Sequence, residues 1–193
     1  VLEIRSVFVE KGDLMELYES IRGRRSVRKF KPDPVPEAVL DRLLEAAQWA
    51  PSWAHTQCCE VVVVSTPEGK AGLQAALGAT NPAYRAVVDA PLLVAFCART
   101  GKAGFYGGKA VTPRGDWMMF DAALAMENFM LAAHAEGLGT VCVGLFDPAV
   151  AARAIGAPEG VEVISLTPLG YPAGETRVPP RKARGEFVRR ESY

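Results

Sequence analysis

The sequence predicts one domain built as a central β-sheet wrapped by helices. Three observations carry this. A chain of 193 residues that is 49% hydrophobic can bury a sizeable core. Apolar runs of strand character alternate with helix-periodic segments, in a proportion of about four strands to six or seven helices. No internal repeat, low-complexity tract or linker divides the chain. The organised domain is expected over residues 15–193, ending in a basic tail, with residues 1–14 as an N-terminal extension.

The elements follow in order. Asp13 stands three residues before Glu16 in a capping-box pattern, and Leu14, Leu17, Tyr18 and Ile21 mark one face of a first helix. A second helix opens near Pro36, carries apolar positions at Val39, Leu43, Ala46, Ala47 and Ala50, and stops at Pro51. A turn-rich stretch, PSWAHTQ, leads to CCEVVVVS, whose unbroken apolar character predicts a buried strand. Two short helices, PEGKAGLQAALG and YRAVVDA, precede a second buried strand, PLLVAFCA. Residues 99–115 carry five glycines and predict a mobile surface loop. WMMFDAALAMENFMLAAHAEG is apolar nearly all round, so it must be covered on most sides by the core or by a partner chain. TVCVGLF predicts a third strand, Asp147 and Pro148 begin another helix, and VEVISLTPLGYP predicts a fourth strand. The arginine-rich tail has two tandem prolines and no core periodicity, so it is expected to lie across another surface.

Composition removes several functions. Lys and Arg number 22 against 22 Asp and Glu, a neutral balance that argues against a general nucleic-acid binder. No apolar run reaches the length of a membrane span, and no signal-peptide succession opens the chain, so the expectation is a cytoplasmic protein without membrane contact. Cys58, Cys59, Cys97 and Cys142 sit in or beside apolar runs and read as buried, reduced thiols. His55, Cys58 and Cys59 lack a second ligand pair at zinc spacing, so no metal site is expected.

One cluster stands out against this neutral background. IRGRRSVRKF places Arg22, Arg24, Arg25, Arg28 and Lys29 within ten residues. As a solvated face after a helix it would need no ligand. In an extended segment, however, Arg24, Ser26 and Arg28 point the same way, with a hydroxyl between two guanidinium forks that match phosphate oxygens. Arg181, Lys182 and Arg184 form a second basic knot, and the two could close on one phosphate monoester. Competing phosphate motifs are missing. There is no GxxxxGK[ST], and Gly137, Gly139 and Gly144 precede and end a strand where a dinucleotide fingerprint would open a helix. HExxH and GxSxG are also lacking, and no close carboxylate pair falls in a plausible cleft, so an enzyme here would rely on a cofactor for its chemistry.

The IRGRRSVRKF segment, APSWAHTQ ahead of a strand, the long apolar helix ending in GLGTVCVG, then LTPLGYP and PPRKARGEFV resemble, in order and spacing, the nitroreductase family of FMN flavoproteins. The resemblance runs from Met15 to Val188. It implies an α+β fold, a central mixed β-sheet surrounded by helices, in an intertwined homodimer whose two active sites are shared between subunits. It implies bound FMN reduced by NADH or NADPH, with electrons passed in ping-pong fashion to nitroaromatics, quinones or related acceptors. Relatives with the same phosphate motif use flavin for dehalogenation or flavin fragmentation, and a flavin-binding protein without turnover is a further alternative.

By the same resemblance, Arg24 and Ser26 would hold the FMN phosphate with Arg25 beside them, and Arg28 would stabilise reduced flavin near N1 and the C2 carbonyl. Pro51, Ser52, His55 and Gln57 would frame the ring from the second subunit. Val143 and Gly144 would offer backbone along the ring, and Arg181 and Lys182 would close the phosphate site. No separate catalytic side chain is implied. His55 stands where the family commonly has asparagine; an imidazole donates one hydrogen bond but lacks the amide's paired donor and acceptor.

Overall fold

The computed structural model describes residues 15–174 and 176–193. Helices α1 (Leu17–Gly23) and α2 (Glu37–Gln48) precede strand β1 (Cys59–Val64). Helices α3 (Pro67–Gln74) and α4 (Ala86–Asp89) lead into β2 (Leu92–Arg99). A hairpin of β3 (Phe105–Tyr106) and β4 (Lys109–Ala110) precedes the long helix α5 (Met118–Ala135). Strand β5 (Gly139–Thr140), helix α6 (Pro148–Ala154), strand β6 (Val161–Gly170) and helix α7 (Arg184–Phe187) follow.

The helix signals in the sequence work as local chemistry. Thr66 accepts a hydrogen bond from Gly69 N ahead of Pro67, and Asp147 accepts from Ala149 N and Val150 N ahead of Pro148. Each cap satisfies backbone donors that the first turn leaves free. In α2, Leu40, Leu43 and Ala47 recur at helical spacing and are buried.

The main sheet has the order β1-β2-β6-β5, and its ladders are antiparallel. A parallel bridge from Ser26 to Thr140 adds the mixed character. β2 lies inside the sheet and is buried on both faces. Leu93, Ala95 and Cys97 pack toward α3, α4 and α6, while Val94 and Phe96 pack toward α2 and α5. Phe96 meets Phe129 of α5 edge-to-face at 5.5 Å. The result is α+β, three layers deep, with the sheet in the middle. Among the described residues, no helix is long and apolar enough to cross a membrane.

Several elements differ from expectation. α1 begins at Leu17, later than the capping-box pattern indicates, and Asp13 and the proposed 1–14 extension lie outside the described residues. β1 is only half-buried, because it is an edge strand with one neighbour. The predicted strand TVCVGLF pairs only at Thr140, with Leu169 and Ser26, and through a bridge from Val143 to Leu166, which leaves Cys142 exposed. Cys59 is half-buried, while Cys58 and Cys97 are buried as expected. The 99–115 segment is tied into the β3–β4 hairpin, turned by Gly107 and Gly108, both at positive φ (56° and 75°) as a tight hairpin favours.

Gly139 shows how sequence sets the site. A Cβ there would lie 2.6–2.9 Å from three atoms of the Val27 side chain, so the Ser26–Val27 segment can dock on β5 only beside glycine. Gly139→Ala is expected to destabilise the protein by about 1–3 kcal/mol through overpacking. Urea unfolding read by circular dichroism checks this.

Candidate functional site

After α1 the chain turns extended. Val27 is buried and donates its N–H to Thr140 O at 2.9 Å, while Lys31 N donates to Tyr171 O and Ala173 N to Lys29 O, each at 2.9 Å. The 24–31 segment is therefore fixed between β5 and the exit of β6. Chain leaving β6 carries the tail back over it. Arg24, Arg25, Ser26 and Arg28 thus meet Arg177, Pro179 and Arg181 around a cavity of about 400 Å³. The two basic segments separated in sequence converge. Arg177 joins them unannounced, and Lys182 does not line the cavity.

The arginines differ in what they can do. Arg25 folds back: its Nη1 donates to Arg22 O at 2.6 Å and Arg24 O at 2.8 Å, capping the C-terminal carbonyls of α1. Its buried Nε has no partner. Among the described residues, the ion pair reaching this cluster is Arg24 to Glu127, at a loose 3.9 Å. Like charges gathered with only this loose carboxylate contact repel one another, and an anion relieves that repulsion.

Arg28 also faces a second, smaller cavity of about 120 Å³, lined by residues 81–83 and 141–145. Here Val143 exchanges two backbone bonds with Leu166 (2.9 and 3.0 Å), and Asn81 Nδ2 donates to Leu145 O at 2.8 Å. A Cβ on Gly144 would meet nothing within 4 Å, so the backbone strip is open on that side. Arg28 links the cationic pocket to this strip.

Pro51, Ser52, His55 and Gln57 lie elsewhere. They sit in the loop before β1, at whose centre Trp53–His55 forms a 3₁₀ turn. Ala54, His55 and Gln57 have φ of 44°, 57° and 48°, a left-handed conformation that costs non-glycine residues about 1–3 kcal/mol each. Internal bonds offset this: Gln57 N donates to Ser52 Oγ at 2.9 Å, and Gln57 Nε2 lies 2.8 Å from His55 Nε2. An amide nitrogen only donates, so the tautomer that completes this bond is the one in which His55 Nε2 accepts and Nδ1 is free to donate. Asp121, from the first turn of α5, accepts from Trp53 N through both oxygens. Burial, then Asp121, push the Cys58 thiol up to about 11, so it stays protonated.

The two halves occupy opposite corners of the sheet. Ser26 adjoins Thr140, level with Leu169 and Leu92, whereas Cys59 pairs with Ala98 on the far edge. Four strand spacings across, counting the Ser26 segment beyond β5, and six residues along amount to roughly 19 Å by about 20 Å. A small ligand seated on Arg24 and Ser26 does not reach the 51–57 loop of the same chain.

His134 of α5 packs against Gly23, where a Cβ would lie 2.5 Å from its Nε2. Burial first, then Arg24 and Arg25, hold its pKa below the usual histidine value. The unfolded chain therefore binds this proton more readily than the folded one. As pH falls below about 6.5, the ordinary value, stability should decline. Chemical denaturation between pH 5 and 7.5 is expected to show stability rising with pH, with a flatter slope in His134→Gln.

The fold and the paired basic segments define a class of protein, and comparison with known proteins agrees. The Nitroreductase family profile matches residues 21–171, and the chain belongs to that family. It is 33% identical over 174 residues to a 5,6-dimethylbenzimidazole synthase of Rhodobacter capsulatus, covering 81% of this chain and 83% of the relative. It is 27% identical over 193 residues to the FMN reductase [NAD(P)H] of Bacillus subtilis, covering 92% and 74%. Among solved structures, a nitroreductase family protein from Clostridium novyi superposes with a TM-score of 0.73 at 30% identity, covering 82% of this chain and 86% of that one.

Proposed function

We propose that this chain is an FMN-dependent oxidoreductase that takes hydride from NADH or NADPH and reduces nitroaromatic, quinone or related acceptors by a ping-pong mechanism, working as a homodimer with shared active sites. The observation that carries this reading is the cationic pocket joined through Arg28 to the open 141–145 strip. The clustered guanidiniums, with only the loose Arg24–Glu127 contact among them, and the Ser26 hydroxyl suit a phosphate monoester, and a flat backbone strip suits a planar ring.

When bound, FMN supplies the hydride chemistry that this chain's side chains lack. Arg24, Ser26 and Arg181 would hold the phosphate, joined by Arg177. Arg25 shapes the pocket by capping α1. Arg28 places a fixed positive charge at the junction of pocket and strip, where negative charge on a reduced ring is stabilised. The Val143 and Gly144 backbone would support the ring. Pro51, Ser52, His55 and Gln57 of a second copy would cover it, with His55 Nδ1–H as a donor.

The dimer reading rests on two features. The half-sites lie too far apart to meet within one chain. Trp49, Met119 and Phe120 are also left 80%, 64% and 55% exposed around α2 and α5, an apolar surface suited to a second copy. Obligate interfaces bury more than roughly 2,000 Å² in total.

Anaerobic mixing of the purified protein, loaded with FMN, with NADH or NADPH tests the reaction. The flavin absorbance is expected to bleach and to recover on adding a quinone or nitroaromatic. Flavin that stays oxidised under both nucleotides would favour a binding protein without turnover. Conversion of the flavin itself to a benzimidazole would favour the activity named for the Rhodobacter relative.

A further inference from the structure

We propose that Asp121 is a positioning residue of this site: its buried carboxylate holds both ends of the 53–58 segment and so fixes how Ser52, His55 and Gln57 are presented to the ring. The inference rests on the reading that this loop covers a flavin held by the partner subunit.

Asp121 is 2% exposed. Trp53 N donates to its Oδ1 at 3.0 Å and its Oδ2 at 3.1 Å, and the Cys58 thiol donates to Oδ2 at 3.5 Å. One carboxylate thus grips the first residue of the 3₁₀ turn and the residue just before β1. The three left-handed residues Ala54, His55 and Gln57 lie between those two anchors. Such a conformation persists only where its surroundings over-determine it. Within the loop, Ser52 Oγ holds Gln57 N, and Gln57 holds His55, but these bonds tie the loop only to itself. Asp121 ties it to α5 and hence to the core packed around Phe129.

The carboxylate is also well placed to remain buried. It lies in the first turn of α5, where the helix dipole favours negative charge. Its two donors satisfy it without a cation, and the Cys58 thiol stays a donor because burial keeps it protonated. Removing the carboxylate leaves Trp53 N without its partner and frees the strained segment to relax. The phosphate pocket, on the opposite corner of the sheet, is untouched.

Hydrogen exchange and kinetics on the FMN-loaded dimer test this with Asp121→Ala and Asp121→Asn. In Asp121→Ala, amides of residues 52–58 should exchange about tenfold to a hundredfold faster, as expected for a lost bond to a charged group, with β2 and β6 unchanged. KM for the acceptor should rise about tenfold while FMN stays bound. Asp121→Asn should recover part of both effects, because its amide oxygen still accepts from Trp53 N. Should Asp121→Ala fail to fold, Asp121→Asn alone must still show faster exchange at 52–58 and a raised KM. Unchanged exchange, or faster exchange with unchanged KM and kcat, would overturn the proposal. Wild-type protein that holds no FMN would instead mark failure of the functional reading beneath it.

Discussion

Replacing Arg24 and Arg181 together with alanine is expected to weaken FMN binding by about 10²–10⁴-fold. The two residues come from opposite ends of the chain but line one cavity. A hydrogen bond to a charged group contributes on the order of 1.5–3 kcal/mol, and 1.4 kcal/mol is about tenfold in affinity. Two such losses give about 3–6 kcal/mol, less any coupling between neighbours that share one ligand. Ser26→Ala removes a neutral donor and should cost about 1 kcal/mol. Titrating apoprotein with FMN and with riboflavin, read by quenching of flavin fluorescence, separates the causes. Riboflavin has no phosphate, so its affinity should be nearly the same in wild type and double variant. An equal loss for both ligands would mean that the arginines do not hold the phosphate.

Arg28→Ala is expected to lower the midpoint potential of the bound flavin by about 30–60 mV. The sign follows from charge. A guanidinium beside the ring favours the reduced, anionic form over the oxidised, neutral one, so its removal makes reduction harder. For a two-electron couple about 30 mV corresponds to roughly 1.4 kcal/mol, and the bond at stake contributes on the order of 1.5–3 kcal/mol. Arg28→Lys should recover part of the shift, because the charge remains while the fork geometry is lost. Arg24→Ala should leave the potential nearly unchanged, since a phosphate carries the same charge in both redox states. Spectroelectrochemical titration at fixed pH compares the variants. An unchanged midpoint in Arg28→Ala would place Arg28 away from the reduced ring.

What could be read from the sequence tracks how local each signal is. The alternation of Arg24, Ser26 and Arg28 needs only an extended backbone, and the structure provides one by docking Val27 on Thr140. The meeting of Arg181 with that segment could be posed from sequence but required the turn after β6 to realise it. Arg177 was missed because it precedes the Pro179–Pro180 break and carries no motif. Asp121 was missed for another reason. A lone carboxylate near the start of an apolar helix looks like a helix-dipole residue, and nothing local says that it grips a loop 63–68 positions upstream.

The two strands that differ from expectation do so for separate physical reasons. CCEVVVVS is as apolar as a buried strand, yet β1 lies at the sheet edge and stays half-buried in a single chain. Apolar content does not distinguish a core from a surface that a second copy covers. The same ambiguity applied to α5, whose buried face packs on the sheet while Met119 and Phe120 point outward. In TVCVGLF, pairing with neighbouring strands is confined to Thr140 and Val143, so the other residues follow an open strip rather than a ladder.

The central claim is that one FMN is held by the basic pocket of one chain and covered by the 51–57 loop of another. Native mass spectrometry of the purified protein tests it in a single measurement. The account predicts a dimer carrying two FMN molecules, with monomers released by gentle dissociation largely stripped of flavin. A monomer that retains one FMN under the same conditions, or a dimer that carries none after incubation with excess FMN, would contradict it.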